Sequence, residues 1–378
     1  MADGEVMHAT AFQLDIDTMP ATISRLRTHG YKSIASADVE LTSLNVLIGA
    51  NGAGKSNFIG VIGLLGHLLE GHLQFAIEKE GGADRILTNG LKHTQELRLD
   101  FHFGKNTYCA LLAADADARL FFKEEAASFQ GEGHATPYSV PLGMGHRETE
   151  LLATKAPVAQ IALKQMKGWR TFHFHDTSPE ARVKQACDLH DNVTLHPHAE
   201  NLAAVLFRLG NTDPNAYRQI VETIRLVAPF FDDFRLAPDA AKPDQIRLAW
   251  SSRGTDAYFG PNAFSDGTLR FICLTTLLLQ PYLPTVVVID EPELGLHPYA
   301  INVLAGLLTS ASTRTQIIVS TQSVTLVNQF EPHDVIVVDR DDQGSTFRRP
   351  TDEEAASWLE DYTLGELWEK NILGGRPR

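Results

Sequence analysis

Only three cysteines occur in 378 residues, Cys109, Cys187 and Cys273, and no two of them form a CxxC pair. That spacing excludes a disulfide framework and a zinc knuckle, and it fits a reducing cytoplasm. No run of about 18 apolar residues occurs, so no segment is expected to span a membrane. The longest apolar stretches, near Phe271–Leu279 and Val286–Ile289, read as buried core. Basic residues are scarce: 33 Lys and Arg stand against 47 Asp and Glu, a formal net charge of -14. A chain of that balance is no general nucleic-acid coat protein, although a local basic groove is compatible with an acidic total. The opening residues MADGEVMHATAFQLDID lack an apolar core and do not read as a secretory signal.

What is present is an ordinary globular composition, 43% hydrophobic and 21% charged. The length suits one large α/β domain with an inserted subdomain, or two domains. Residues 1–22 read as a tail. From Ile23 the pattern is strand-like: ISRLRTHGYKSI alternates, and ASADVEL follows as a hairpin partner. Leu44–Ile48 (LNVLI) has the composition of a buried strand, and a helix is expected from about Lys55 to Glu70. Glu96–Phe103, NTYCALLAAD and RLFFKEE predict an antiparallel sheet. The stretch from Gln130 to Pro157 reads as loop, and Trp169–Asp176 as a strand. Helices are expected over Glu200–Leu209 and Asp213–Ala228, without the heptads of a coiled-coil arm, and strand-like alternation returns over Arg235–Tyr258. From Ser265 helices alternate with strands at Val286–Ile289, Gln316–Ser320 and Val335–Val338, which predicts a parallel sheet. The expected division is a head over residues 23–350, with parts 23–165, 166–260 and 261–350, and a tail over 351–378.

Two motifs carry chemistry. Gly49–Ser56 (GANGAGKS) matches G-x-x-x-x-G-K-[ST] between an expected strand and an expected helix. Its glycines let backbone N–H groups turn toward phosphate, and the helix N-terminus adds a positive dipole end. Lys55 is expected to reach the β- and γ-phosphates of ATP and Ser56 to bind Mg²⁺. Asn51, Gly52, Ala53, Gly54 and Asn57 complete the nucleotide-binding candidates. The second motif is TVVVIDEPELGLHP, Thr285–Pro298. In a parallel sheet the strand C-termini line the ligand crevice, so Asp290 is placed to hold Mg²⁺ and Glu291 to polarise the attacking water.

Four further segments bear a resemblance. FSDGTLRF, Phe264–Phe271, resembles the ABC signature in the SDGT form of RecF-, SMC- and OLD-like ATPases. Gly30–Ser33 (GYKS) is similar to their N-terminal element, Glu293–Pro298 (ELGLHP) to their D-loop, and Ser320–Ser323 (STQS) to the segment carrying their switch residue. Together with HFHDTSP and APFFDDF, these motifs resemble stand-alone bacterial RecF-like and OLD-like ATPases over about Ile23 to Asp339. The resemblance implies a P-loop NTPase of the ABC-ATPase head type. It would have a mixed sheet, an antiparallel β-subdomain, a small helical subdomain and no coiled-coil arm. It implies that Ser265, Asp266 and Gly267 act in trans on the nucleotide of a second copy, in an ATP-dependent homodimer. On elementary grounds Ser265 can cap a helix and Gly267 permits close backbone approach, which together make an anion site.

The chain departs from the family at the switch, where Gln322 replaces the usual His and cannot carry a proton. Slow or partner-stimulated hydrolysis is the expectation. Gln95 and Gln130 are the two candidates for the Q-loop glutamine. Lys32, and less so Arg25, are candidates for phosphate or adenine contact through the N-terminal element, against a plain surface role. His173, His175, His190, His196 and His198 are close in sequence, but no H-x3-H or cysteine pairing supports a metal, and they read as polar or interface residues. Arg348, Arg349, Arg376 and Arg378 are too few for a DNA patch.

Four functions compete. The first is a nucleotide-switched regulator with a separate effector, nuclease or Toprim-like, as in anti-phage defence. This chain has no nuclease or Toprim motif of its own. The second is a DNA-repair ATPase that clamps DNA directly, which the acidic balance weakens. The third, a transporter motor, is disfavoured by the separation of about 210 residues between phosphate loop and signature. The fourth, a non-hydrolysing scaffold, is disfavoured by Glu291.

Overall fold

The structure is a computed structural model that describes residues 21–131, 136–351, 363–372 and 374. The expected tail over 1–22 falls almost wholly outside these. Two six-stranded sheets organise the chain. The first is antiparallel, in the spatial order Ile34–Glu40, Ile23–Tyr31, Glu96–Phe103, Asn106–Ala114, Leu120–Phe129, Tyr138–Gly143. The second runs Gly344–Arg348, Val335–Asp341, Leu44–Ile48, Gln316–Thr321, Val286–Asp290, Trp169–Phe172. All its pairings are parallel except that of the first two strands, a terminal hairpin.

The central parallel strands are mostly apolar because both of their faces are covered, and buried polar exceptions such as Asn45 and Gln316 are hydrogen-bonded. Val286, Val288 and Ile318 enter one core with the helix Lys55–Leu69 and the antiparallel sheet. Val287, Ile289, Ile317 and Val319 enter the other core with the helices Leu202–Thr212, Pro214–Val227, Asp266–Leu279 and Pro298–Ser312. Each helix shows its local cause. Ser265 caps Asp266–Leu279 by accepting from the Thr268 N–H, and Asp213 caps Pro214–Val227 with proline in its first turn. The longest helices among the described residues have 15 residues, and none of them extends as a coiled-coil arm. No helix among them is long and apolar enough to cross a membrane.

Several expectations need correction. Gln130 to Pro157 is not all loop: Tyr138–Gly143 forms an edge strand and Glu150–Leu152 a short 3-10 turn. That strand is largely exposed and holds Pro141, which an edge tolerates, so neither hydrophobicity nor alternation marked it. The strand from Trp169 stops at Phe172, because the His173 N–H donates to Pro197 outside the sheet. The alternation over Arg235–Tyr258 breaks into Gln245–Ile246, Trp250–Ser252 and Tyr258–Phe259. The segment 351–378 is not simply a tail: Leu364–Glu369 is a helix whose Leu364, Leu367 and Trp368 join the core. Its residues 352–362, 373 and 375–378 lie outside the described set. The strand Leu44–Ile48, assigned with 23–165, pairs with Gln316–Thr321 and Val335–Asp341, so sequence blocks and sheets do not coincide.

Candidate nucleotide site

Parallel pairing brings the motif residues to one edge. Asp290 lies opposite Ser320, Ser320 opposite Leu47, and Thr321 opposite Ile48. The loop after Ile48, the carboxylates after Ile289 and Gln322 after Thr321 therefore leave the sheet on the same side.

The loop Gly49–Gly54 bends because glycine occupies its special positions. Gly52 has φ +78° and Gly54 φ +119°. A side chain at Gly54 would sit 2.1 Å from the Ser345 hydroxyl, and one at Gly49 would sit 2.2 Å from the Val338 carbonyl oxygen. Arg340 donates to the Gly52 carbonyl at 3.2 Å. Buried Ala53 closes a turn through its N–H to Ala50. Asn51 and Ser56 are exposed, and Ser56 stands on the first turn of the helix Lys55–Leu69. Lys55 is buried, its ammonium donating to the carbonyls of Gly49 at 2.6 Å and Ala50 at 3.0 Å. Burial pulls its pKa down, while Glu291, Asp290 and Glu293 push it back up. Asn57 donates to the Ser33 hydroxyl at 2.6 Å, and Ser33 pairs with Ser345 at 2.7 Å beside Gly54.

On the opposite strand Ser320 donates to an Asp290 carboxylate oxygen, and His175 Nε2 contacts the Asp290 carbonyl at 2.8 Å. Glu291 has φ +42°, an uncommon conformation for a residue with a side chain, and its N–H donates to the Ser320 carbonyl at 3.1 Å. Gln322 Nε2 donates to Glu291 Oε1. Glu293 is buried: Oε1 accepts from Thr321 at 2.5 Å and from the Gln322 N–H at 3.1 Å, while Oε2 has no partner. Burial raises its pKa above the usual carboxylate range.

The signature segment joins this edge through the D-loop. Ser265 and Asp266 are exposed at the helix N-terminus. A side chain at Gly267 would lie 2.3 Å from the Gly295 carbonyl oxygen, so only glycine permits the contact. Arg270 binds the carbonyls of Phe174, His175 and Leu294.

Other candidates fall elsewhere. Lys32 donates to Glu80 at 2.7 Å, and Arg25 forms a two-point pair with Asp38. Gln95 and Gln130 flank strands of the antiparallel sheet, where the Gln130 N–H donates to Lys105. His173 stacks on His198 at 5.6 Å, and burial lowers its pKa. No group of three metal-binding side chains occurs among the described residues. Sequence reasoning gave no role to Ser33, Ser320, Glu293 or Arg270, although each stands inside or beside a quoted motif. Arg340 and Ser345, on the terminal hairpin, carried no local signal.

A phosphate loop, a carboxylate strand and a signature helix on this mixed sheet define a P-loop ATPase of the ABC type. The fold is similar to that of an SMC head bound to the C-terminal winged-helix domain of ScpA, at 18% identity and TM-score 0.55, over 89% of this chain and 99% of that one. It is also similar to an SMC head with an extended coiled coil bound to the C-terminal domain of ScpA, from Pyrococcus furiosus. There the identity is 16% and the TM-score 0.52, over 90% of this chain and 99% of that one. A search of curated protein sequences returned no significant match. The model of the family described as "AAA domain, putative AbiEii toxin, Type IV TA system" matches residues 44–139 and 184–328, well over half of the chain, and the protein belongs to that family.

Proposed function

We propose that the protein binds Mg·ATP through Asn51–Asn57, hydrolyses it with Glu291 between two copies of the chain, and uses the resulting association to switch a separate effector. The observation that carries this reading is positional: parallel pairing sets Asp290 opposite Ser320 and Thr321 opposite Ile48. The carboxylates, more than 200 residues along the chain, therefore leave the sheet at the same edge as the loop that holds the buried Lys55 ammonium. Backbone N–H groups of the loop and the helix N-terminus supply anion binding. Lys55 exchanges its loop carbonyls for phosphate oxygens. The Ser56 hydroxyl and the Asp290 carboxylate are oxygen donors that fit a hard divalent cation. When bound, magnesium offsets charge on the β- and γ-phosphates.

Glu291 is the water-polarising base. Its backbone is left-handed, and Gln322 holds one of its carboxylate oxygens. Glutamine orients but transfers no proton, so turnover is expected to be slow or partner-stimulated. Lys32 is the weakest of the proposed contacts, since it must leave Glu80 to reach a nucleotide.

Ser265, Asp266 and Gly267 form an exposed, capped helix N-terminus suited to the γ-phosphate of a second copy. An isologous pair would then hold two whole sites. The family's description mentions a putative toxin of a type IV toxin–antitoxin system, which accords with a second protein working alongside this one. The charge of -14 supports a protein partner over a DNA clamp.

The test mixes two inactive variants, Lys55→Ala and Ser265→Arg. A mixed dimer holds one site with both defects and one with neither. Partial recovery of ATPase activity supports shared sites, whereas no recovery from demonstrated mixed dimers refutes signatures acting in trans on independently firing sites. Stimulation by DNA alone, without a protein partner, would instead favour the repair reading.

A further inference from the structure

The signature helix is tied to its own protomer's carboxylate strand by one side chain. Arg270 lies one turn into Asp266–Leu279. Its Nε donates to the Phe174 carbonyl at 3.2 Å, Nη2 to the His175 carbonyl at 2.8 Å and Nη1 to the Leu294 carbonyl at 2.8 Å. All three acceptors are backbone oxygens, drawn from two separate segments. Among the described residues no carboxylate pairs with Arg270. The chain continues the linkage on both sides. His175 reaches back through Nε2 to the Asp290 carbonyl at 2.8 Å, which requires the Nε2–H tautomer. Gly295, next to Leu294, sets its carbonyl oxygen where a side chain at Gly267 would lie 2.3 Å from it, and a side chain at Gly295 itself, at φ +78°, would stand 2.8 Å from Arg270 Nη1.

We propose that Arg270 is a positioning residue that couples the two ATP sites of the dimer, through Leu294 to the D-loop and through His175 to Asp290. The inference rests on the dimer proposed above. In that dimer the N-terminus of the signature helix meets the partner's nucleotide, while Asp290 meets the protomer's own. A displacement of the helix by the first nucleotide then moves three carbonyl-bearing points together, because a planar guanidinium fixes their relative geometry. The segment Phe174–His175 is irregular backbone that follows the edge strand Trp169–Phe172: the buried Phe174 ring anchors it in the core, and the Arg270 bonds fix the direction of its carbonyls. Lysine is no substitute, since its single ammonium lacks the planar fork that spans three carbonyls.

The experiment compares the full-length protein with Arg270→Lys, Arg270→Ala and His175→Asn. The readouts are ATP-driven dimer formation by light scattering, the ATP dependence of turnover, and thermal unfolding. The parent is expected to dimerise and to show a Hill coefficient above 1, toward its limit of two sites. Arg270→Lys and His175→Asn are expected to remain folded and to dimerise. Their Hill coefficients should fall to about 1, and kcat should drop on the order of tenfold or more with KM changed roughly twofold at most. A purely structural role would lower the unfolding temperature and leave the Hill coefficient alone. Folded, dimeric Arg270→Lys and His175→Asn with parental cooperativity and kcat would overturn the coupling while leaving the dimer intact, as would a dimeric parent without cooperativity. A parent that stays monomeric in ATP would overturn the dimer itself, a separate failure. Should Arg270→Ala fail to fold, the other two variants decide the matter.

Discussion

Replacing Gly267 by alanine puts a methyl group 2.3 Å from the Gly295 carbonyl oxygen, where real contacts of this kind do not fall below 3.0 Å. The helix and the D-loop must separate by about 0.7 Å at least, and both atoms that must yield belong to backbone. Two effects compete. Alanine favours the helix over glycine by up to about 1 kcal/mol, less in a first turn. Overpacking of a fixed contact costs about 1–3 kcal/mol, so the clash wins and the variant is destabilised modestly. Function should suffer more, because a misplacement near 1 Å can cost on the order of 10² in rate. The phosphate loop lies on a distant segment, so ATP binding by calorimetry should change no more than roughly twofold. The expected signature is thus intact nucleotide binding, slightly lowered unfolding temperature, and turnover and ATP-driven dimerisation both strongly reduced. Parental turnover together with an unchanged or raised unfolding temperature would refute the argument. It would mean that the two glycines need not touch.

Lys55→Ala removes the only ammonium inside the loop and should weaken ATP binding at least about tenfold; equal calorimetric affinity would take Lys55 out of the site. Glu291→Gln keeps an amide oxygen for Gln322 but loses the base, so it should bind ATP, accumulate as dimer and release phosphate on the order of 10²–10⁴ times more slowly. Phosphate release at the parental rate would show that another residue polarises the water. Glu293 is a buried carboxyl with its pKa raised, so its contribution to stability is present below its unfolded value and is lost as pH rises through the folded one. Glu293→Gln should therefore raise the unfolding temperature at neutral pH relative to the parent, with the difference shrinking toward acid pH; a pH-independent difference would count against a charge effect.

The parallel strands were legible because both faces of Leu44–Ile48, Val286–Asp290 and Gln316–Thr321 are covered, leaving short, mostly apolar runs rich in Val and Ile. The phosphate loop was legible because its glycines and lysine serve backbone geometry that no other spelling supplies. The helix Leu364–Glu369 was not. It has six residues, and its burial against the segment Val324–Val327 is set by tertiary contact, not by its own periodicity. Tyr138–Gly143 was missed because an exposed edge strand leaves no apolar pattern. Arg270 illustrates a different limit. Its chemistry is the reception of three carbonyls, and which carbonyls approach depends on segments about 25 and 95 residues away. Ser320, too, has its meaning only through Asp290 on the neighbouring strand.

The two halves of the proposed ATP site belong to different cores. The helix after the phosphate loop packs with the antiparallel sheet, through Phe58, Val61, Leu65 and Leu68. The signature helix packs on the other face, through Leu269, Ile272, Leu274 and Leu277. The parallel sheet separates them, and its strands contribute side chains to both. Such an arrangement resists internal sliding, since a shift of one layer would expose apolar surface on the other. The tight Gly267–Gly295 contact and the Arg270 bonds add a second restraint, holding the signature to the D-loop at the edge where the carboxylates leave the sheet. ATP is therefore expected to act chiefly by bringing whole heads together, with only small adjustments inside each head. In the proposed dimer that division leaves the carboxylate strand and the signature fixed to each other, while the phosphate for the signature would come from the partner. A bond made at such an interface would be converted into a rigid-body movement, the form of motion a separate effector could read.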